Sequence, residues 1–304
     1  MTTTTPPTTT APTAAEQPSP AAVAKRALSR PWASLAAIVI AVLWTLPTFG
    51  LLVSSFRPER AIKTTGWWTF FSDPRVTLDN YRAVLGSEGV EGLGAYFINS
   101  LVITIPSVVI PITLATIAAY AFAWIKFPGR NVLFLVIFAL QIVPLQVTLI
   151  PLLTLYVDAG LSNTFWTIWL SHSIFGLPLA IYLLHNFMRE VPATLLEAAR
   201  IDGAGHVSIF FRVLLPLLRP ALAAFGIFQF LWVWNDLLVA LVFGGGGTSI
   251  APVTVALANL NGTRGTAWHL LTAGSFVSIL VPVVIFLLLQ RYFVRGLLAG
   301  SVKG

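Results

Sequence analysis

Six apolar runs, at 33–54, 95–122, 131–154, 164–184, 221–243 and 269–290, contain a single carboxylate between them, Asp236. Each reaches or exceeds the roughly 20 residues that carry an α-helix across a hydrocarbon core. Backbone polar groups in lipid must be satisfied within the segment, so such runs form helices. The chain is therefore predicted to be an all-α membrane protein with six transmembrane helices. Only 10% of its residues are charged and 57% are hydrophobic, with a mean hydropathy of +0.85, whereas about a quarter of a soluble domain is charged. A soluble core cannot hide that much apolar surface.

The formal charge of +7 does not point to nucleic acid, because the basic residues lie between apolar runs and form no single polar face. They read as topology signals. Lys25, Arg26, Arg30, Lys126, Arg130, Arg189, Arg200, Arg212, Arg219, Arg291, Arg295 and Lys303 fall on one side, and Arg57, Arg60, Lys63, Arg75, Arg82 and Arg264 on the other. Twelve against six places both termini in the cytoplasm by the positive-inside rule. Residues 1–30 are expected to be a disordered cytoplasmic tail, since Thr, Pro and Ala dominate and large apolar side chains are scarce. A signal peptide is the competing reading of the first apolar run. That run exceeds a signal h-region and shows no small-x-small cleavage site, which favours a retained helix.

The first span and its outer loop then occupy 31–94, a five-helix transmembrane domain 95–290, and a cytoplasmic tail 291–304. Trp67 and Trp68 sit in the outer loop where interfacial aromatics are expected. Pro106, Pro111, Pro144, Pro151, Pro178 and Pro282 are expected to interrupt their helices. Polar side chains at membrane depth, Asn99, Gln141, Gln146, His172, Gln229, Asn235 and Asp236, face either a pathway or a neighbouring helix. Asn99, Gln141, Gln146, Asn235 and Asp236 are the pathway candidates. For Asp236 the alternatives are a buried bond to Asn235 or a partner helix, and a group that accepts from solute hydroxyls.

The longest cytoplasmic connection, 185–219, carries a short helix predicted over 195–202. Thr194 and Glu197 have capping-box spacing, and Gly203 suits the left-handed residue after the last turn. Leu195, Leu196, Ala198, Ala199 and Ile201 give it an apolar, small-residue surface that no adjacent sequence covers. A second helix, 207–215, is expected to stop at Pro216. Such a pair is either a docking element or a loop packed on its own bundle.

The pattern E-A-A-x-x-x-G followed by L-L-P, formed by Glu197, Ala198, Ala199, Gly203, Leu214, Leu215 and Pro216, closely resembles the loop signature of binding-protein-dependent ABC importer permeases. FINSLVIT at 97–104, WNDLLVALVF at 234–243 and QRYFVRGLLAGSVKG at 290–304 are similar to the sugar-importing branch, in particular the maltose-type second permease subunit, with a lean to α-glucoside permeases. The resemblance covers about 95–304 and implies a type I ABC importer permease fold in a bacterial inner membrane. It implies a homologous second permease, two ATPase subunits, a periplasmic or extracellular sugar-binding protein and a sugar solute as partners. Glu197, Ala198, Ala199, Asp202 and Gly203 become the ATPase-coupling residues, and ATP and Mg belong to the ATPase, with no cofactor on this chain.

Catalytic chemistry is not written in the sequence. There is no cysteine and no G-x-x-x-x-G-K-[ST], and the glycines at 244–247 lack the lysine that motif needs. His172, His185, His206 and His269 show no metal-ligand spacing. Asn261-Gly262-Thr263 matches a glycosylation acceptor formally. The rival reading is a secondary transporter with Asp236 as a proton or cation site.

Overall fold

A computed structural model describes residues 31–86, 92–244, 249–262 and 267–301. The N-terminal tail, the glycines at 245–247, Arg264 and the last three residues lie outside the described residues, as do the side chains of 291–301 and the Asn261 acceptor. Among the described residues all regular structure is helical. The chain divides into two compact units, one ending at Gly50 and one beginning at Leu51. The first holds most of α1 (Pro31–Ser55), whose residues from Pro31 to Phe49, Trp32 and Trp44 among them, are exposed except for half-buried Ser34.

In the second unit four elements build the outer segment and the first long helix. These are α2 (Glu59–Thr64), a 3₁₀ turn (Trp67–Phe71), α3 (Asp79–Leu85) and α4 (Gly94–Trp124). The outer segment is held by its own hydrogen bonds. Buried Arg57 donates to the carbonyls of Ala61 and Thr65 and to Thr69 Oγ1, while Asn80 Nδ2 donates to the carbonyls of Ser55 and Arg57 at 2.9 Å. The Glu59 carboxyl is held below its usual range by the hydrogen bond from Lys63 and then by the charge of His269.

The remainder comprises α5 (Arg130–Ala139), α6 (Leu145–Asp158), α7 (Phe165–Glu190), α8 (Ala193–Ile201), α9 (His206–Ile209), a π turn (Phe210–Leu214), α10 (Leu215–Leu217), α11 (Arg219–Trp234), α12 (Leu238–Gly244), α13 (Val253–Gly262) and α14 (Trp268–Ser301). Helices α1, α4, α7 and 268–290 of α14 are each long and apolar enough to cross a membrane. Two bent pairs, 130–142 with 145–158 and 206–217 with 219–234, bring the number to six if each is one span. The expected 131–154 run falls on the first bent pair, whereas the second pairs the loop helix 206–217 with 219–234, so the expected span 221–243 is represented by 219–234 and the short helix after it. The bends are 102° and 70°.

The prolines divide into two groups. Pro106, Pro111, Pro151, Pro178 and Pro282 sit inside continuous helices, so the expectation that each interrupts its helix is corrected. Neighbouring helices and local adjustment tolerate them. Pro144 alone marks a break: Val143 is extended (φ −68°, ψ 120°), as the residue before proline prefers. The 221–243 run is also not one helix. It stops at Trp234 and restarts at Leu238, because Asp236 turns its carboxylate onto the backbone instead of continuing the helix.

The most extensive packing is between α4 and α7, with α11 against both and against α14. Ala115 and Ala119 of α4 and Ala180 of α7 are fully buried. Small residues let backbones approach where lipid supplies no hydrophobic drive for association. Gln229 of α11 crosses to both partners, donating from Nε2 to the carbonyls of Ser107 (3.2 Å) and His172 (3.3 Å). Gly176 makes room for it, since a Cβ there would stand 2.7 Å from Gln229 Oε1. Interhelical hydrogen bonds of this kind contribute about 0.6–2 kcal/mol each.

Candidate functional site

Two regions gather the residues singled out by sequence, a cavity at the broken helices and the exposed helix α8.

At the Pro144 break the chain leaves a cavity of about 730 Å³. Leu140 to Leu145, Thr148 and Leu152 line one side, with Ile174, Phe175 and Pro178 of α7 and Trp232 of α11 opposite. Gln141 is in this wall; Gln146 is exposed and outside it. Behind Trp232 lies His172, with ring centroids 5.2 Å apart and edge to face. His172 Nδ1 lies 3.0 Å from the Ile168 carbonyl. A carbonyl only accepts, so Nδ1 is the donor there, and Nε2 faces Asp236 Oδ2 at 3.6 Å.

Asp236 is tied into the backbone. Its Oδ2 accepts from the Ala240 N–H at 3.0 Å, its Oδ1 from Val239 at 3.4 Å, and its own carbonyl accepts from Thr254 Oγ1 at 2.6 Å. The carboxylate is the N-terminal cap of α12. Asn235 bonds the Leu231 carbonyl rather than Asp236. Asn99 Nδ2 donates to the carbonyls of Ser249 and Ala251. Of the five pathway candidates the structure brings only Gln141 to the cavity. Trp232, Phe175 and Thr148 are cavity residues that sequence reasoning missed, and Q-I-V-P at 141–144 was the available signal.

On the other side of the bundle α8 spans Ala193–Ile201 with Pro192 at its N-cap, and no side chain caps it. The expected Thr194–Glu197 capping box does not form: Thr194 is already inside the helix, and proline at the cap position sets the entry instead. The C-terminus follows expectation. Gly203 has φ +83°, its N–H bonds the Arg200 carbonyl at 3.0 Å, and the Ala204 N–H bonds the Ala199 carbonyl at 2.9 Å. These two bonds are the Schellman pair, and Ala204 and Ala199 both pack on the cluster beneath.

Leu196 is only 2% exposed and anchors α8 among Leu184, Met188, Ile209 and Leu214. The apolar face expected to be uncovered is thus partly covered, at Leu196 and Ala199, whereas Leu195 and Ala198 are exposed and Ile201 is 86% exposed. Glu197, Asp202 and Gly203 are also exposed. A Cβ on Gly203 would meet nothing within 4 Å, so backbone conformation alone calls for glycine in this chain.

The expected stop of the second loop helix at Pro216 is corrected. The helix runs on to Leu217 through the π turn 210–214, and the chain turns at Leu218 ahead of Pro220. The wider π turn accommodates the N–H that Pro216 lacks. Tyr120 of α4 ties this element down, its hydroxyl 2.7 Å from His206 Nδ1.

The sequence profile of the binding-protein-dependent transport system inner membrane component family matches residues 111–298. The osmoprotective compounds uptake permease protein GgtD of Synechocystis sp. is 55% identical over 273 residues, covering 88% of this chain and 91% of that protein. The alpha-glucoside transport system permease protein AglG of Rhizobium meliloti is 52% identical over 258 residues, covering 83% and 67%. Among solved structures, a chain of a bacterial ABC transporter that imports the acidic polysaccharide alginate aligns over 89% of this chain and 98% of its own, with TM-score 0.69 and 22% identity. That similarity shows the fold, the type I importer permease architecture.

Proposed function

The chain belongs to the family of binding-protein-dependent transport system inner membrane components, and from that premise we propose that it forms half of the translocation pathway of a sugar importer, coupled to an ATPase through α8. The chain is a multi-pass membrane protein with no catalytic role of its own in this reading. ATP and Mg are bound and hydrolysed by two ATPase subunits, a second permease completes the pathway, and a secreted binding protein delivers the sugar. Both termini face the cytoplasm, as the twelve-to-six distribution of Lys and Arg favours. The function for which AglG is named supports an α-glucoside-type solute.

The observation that carries this reading is the division of labour on α8. Leu196 and the Gly203 turn fix the helix to the bundle, and Leu195, Ala198 and Ile201 are exposed on it. Domain movement in the ATPase is then transmitted through Leu196 to α4, α7 and the π turn. Glu197, Ala198, Ala199, Asp202 and Gly203 are the coupling residues. Ala198 and Gly203 leave room for a partner's surface, and Glu197 and Asp202 add charge at its rim. The secondary-transporter alternative is disfavoured by family membership and by the role of Asp236 as a helix cap.

Ile201→Asp tests the reading, because Ile201 is 86% exposed in this chain. The variant is expected to insert and to assemble with the second permease, yet to retain the ATPase poorly and to lose sugar uptake at least about tenfold, as for a hot-spot loss above 1.4 kcal/mol. Parental ATPase retention and uptake in Ile201→Asp would refute the docking assignment.

A further inference from the structure

At the junction of α4, α5 and α7 lies a second, smaller cavity of about 260 Å³ that the transport reading does not use. Its polar lining is Arg130, Asn131, His185 and Arg189, and its apolar floor is Phe122 and Phe134. Neither arginine meets a carboxylate among the described residues. Arg130 is half-buried and donates once, to the Ile125 carbonyl at 3.3 Å, which leaves most of its five N–H groups free. His185 is 9% exposed and its Nδ1 is buried without a hydrogen-bond partner. Its ring packs tilted on Phe134 with centroids 4.3 Å apart, and both guanidiniums are near enough to act on its charge.

Half-buried Arg130 and exposed Arg189, neither facing a carboxylate among the described residues, stand beside the buried, unpartnered Nδ1 of His185, an arrangement that one anion would complete. The neighbouring surface says which kind. Beyond Arg130 and Asn131, α5 runs on with Val132, Leu133 and Leu135 at 67%, 47% and 64% exposed. A polar pocket that opens onto an exposed apolar helix face has the layout of a phospholipid, headgroup first and acyl chains along the helix. A soluble anion would make no use of that face.

We propose that Arg130, Asn131, His185 and Arg189 hold the phosphate of an anionic phospholipid headgroup. The guanidiniums pair with the phosphate oxygens, and Asn131 and the imidazole donate to the remaining acceptors. Basic pockets between helices on the cytoplasmic side are suited to such lipids, and this placement rests on the orientation given under the proposed function. Thermal stability in defined lipid does not depend on transport, so failure of the lipid site is separable from failure of the importer reading.

The test uses the assembled transporter in nanodiscs of phosphatidylcholine, with and without one-fifth phosphatidylglycerol, for the parental chain, Arg130→Gln/Arg189→Gln and Arg130→Lys/Arg189→Lys. Phosphatidylglycerol is expected to raise the parental unfolding midpoint by about 2 °C or more. The glutamine pair abolishes that shift and the lysine pair keeps at least half of it. A parallel arm adds inorganic phosphate to phosphatidylcholine discs and is expected to produce no shift. A phosphatidylglycerol shift that survives in the glutamine pair, or is absent from the parental chain, overturns the site. A shift produced equally by inorganic phosphate overturns the lipid assignment.

Discussion

Asp236 shows how one residue in an apolar span reads in two ways. A lone carboxylate at membrane depth is a functional candidate by default, yet here both oxygens accept from backbone N–H groups of α12 and one also faces His172 Nε2. The cap explains why the charge is tolerated: the helix N-terminus offers unsatisfied donors and a positive dipole end. Asparagine caps as well as aspartate. Asp236→Asn is therefore expected to keep near-parental stability and ATP-dependent uptake. Asp236→Ala removes the cap and strands the imidazole, costing about 0.5–2 kcal/mol. Thermal unfolding of the purified transporter in detergent distinguishes them, and an Asn variant as unstable as the Ala variant would rule out the capping role. No signal in the sequence separated a capping Asp236 from a pathway-lining one, because the distinction lies in which backbone groups the chain brings beneath it.

At the scale of elements, α8 owes its shape to its C-terminal turn more than to its start. Its one conformationally demanding residue is Gly203, at φ +83° with open space around the missing Cβ. A side chain there therefore costs only the left-handed backbone penalty, about 1–2 kcal/mol for alanine and less for asparagine, which visits that region more readily. Gly203→Ala is expected to speed local hydrogen exchange across 193–204 at least about fivefold, the factor for 1 kcal/mol, with Gly203→Asn between it and the parental chain. Equal exchange in all three would mean that the Schellman turn does not hold the element. The glycine signal was legible in the sequence because φ > 0 is a local requirement. The start of α8 was not, because Thr194 and Glu197 have capping-box spacing whether or not Pro192 has already taken the cap position. The same limit applies to the prolines. Pro144 breaks its helix and Pro106, Pro111, Pro151, Pro178 and Pro282 do not, a difference set by the helices packed around each site and invisible to a local reading.

For the whole molecule, hydropathy made the spans legible because lipid acts on every residue of a run together, whereas the cavity depends on α5–α6, α7 and α11 meeting across more than 90 residues of chain. Orientation is a property of the same scale, and the chain's lack of cysteine makes it directly measurable. Ser72 is exposed just after the 3₁₀ turn of the outer segment, and Asp202 is exposed at the end of α8. If the basic residues orient the chain as proposed, Ser72→Cys reacts with a membrane-impermeant maleimide in intact cells and Asp202→Cys reacts only after permeabilisation. Docking adds a second requirement. With the ATPase bound, Asp202→Cys is shielded, so stripping the ATPase from inside-out vesicles is expected to raise its labelling rate at least about fivefold while Ser72→Cys, now lumenal, stays unreactive. The fivefold figure corresponds to about 1 kcal/mol of protection, a low threshold for a residue in a contact that must transmit force. Labelling of Asp202→Cys in intact cells would overturn the topology, since one odd span would have to be gained or lost between the two positions. Cytoplasmic labelling that is indifferent to the ATPase would leave the topology standing and remove α8 from the interface.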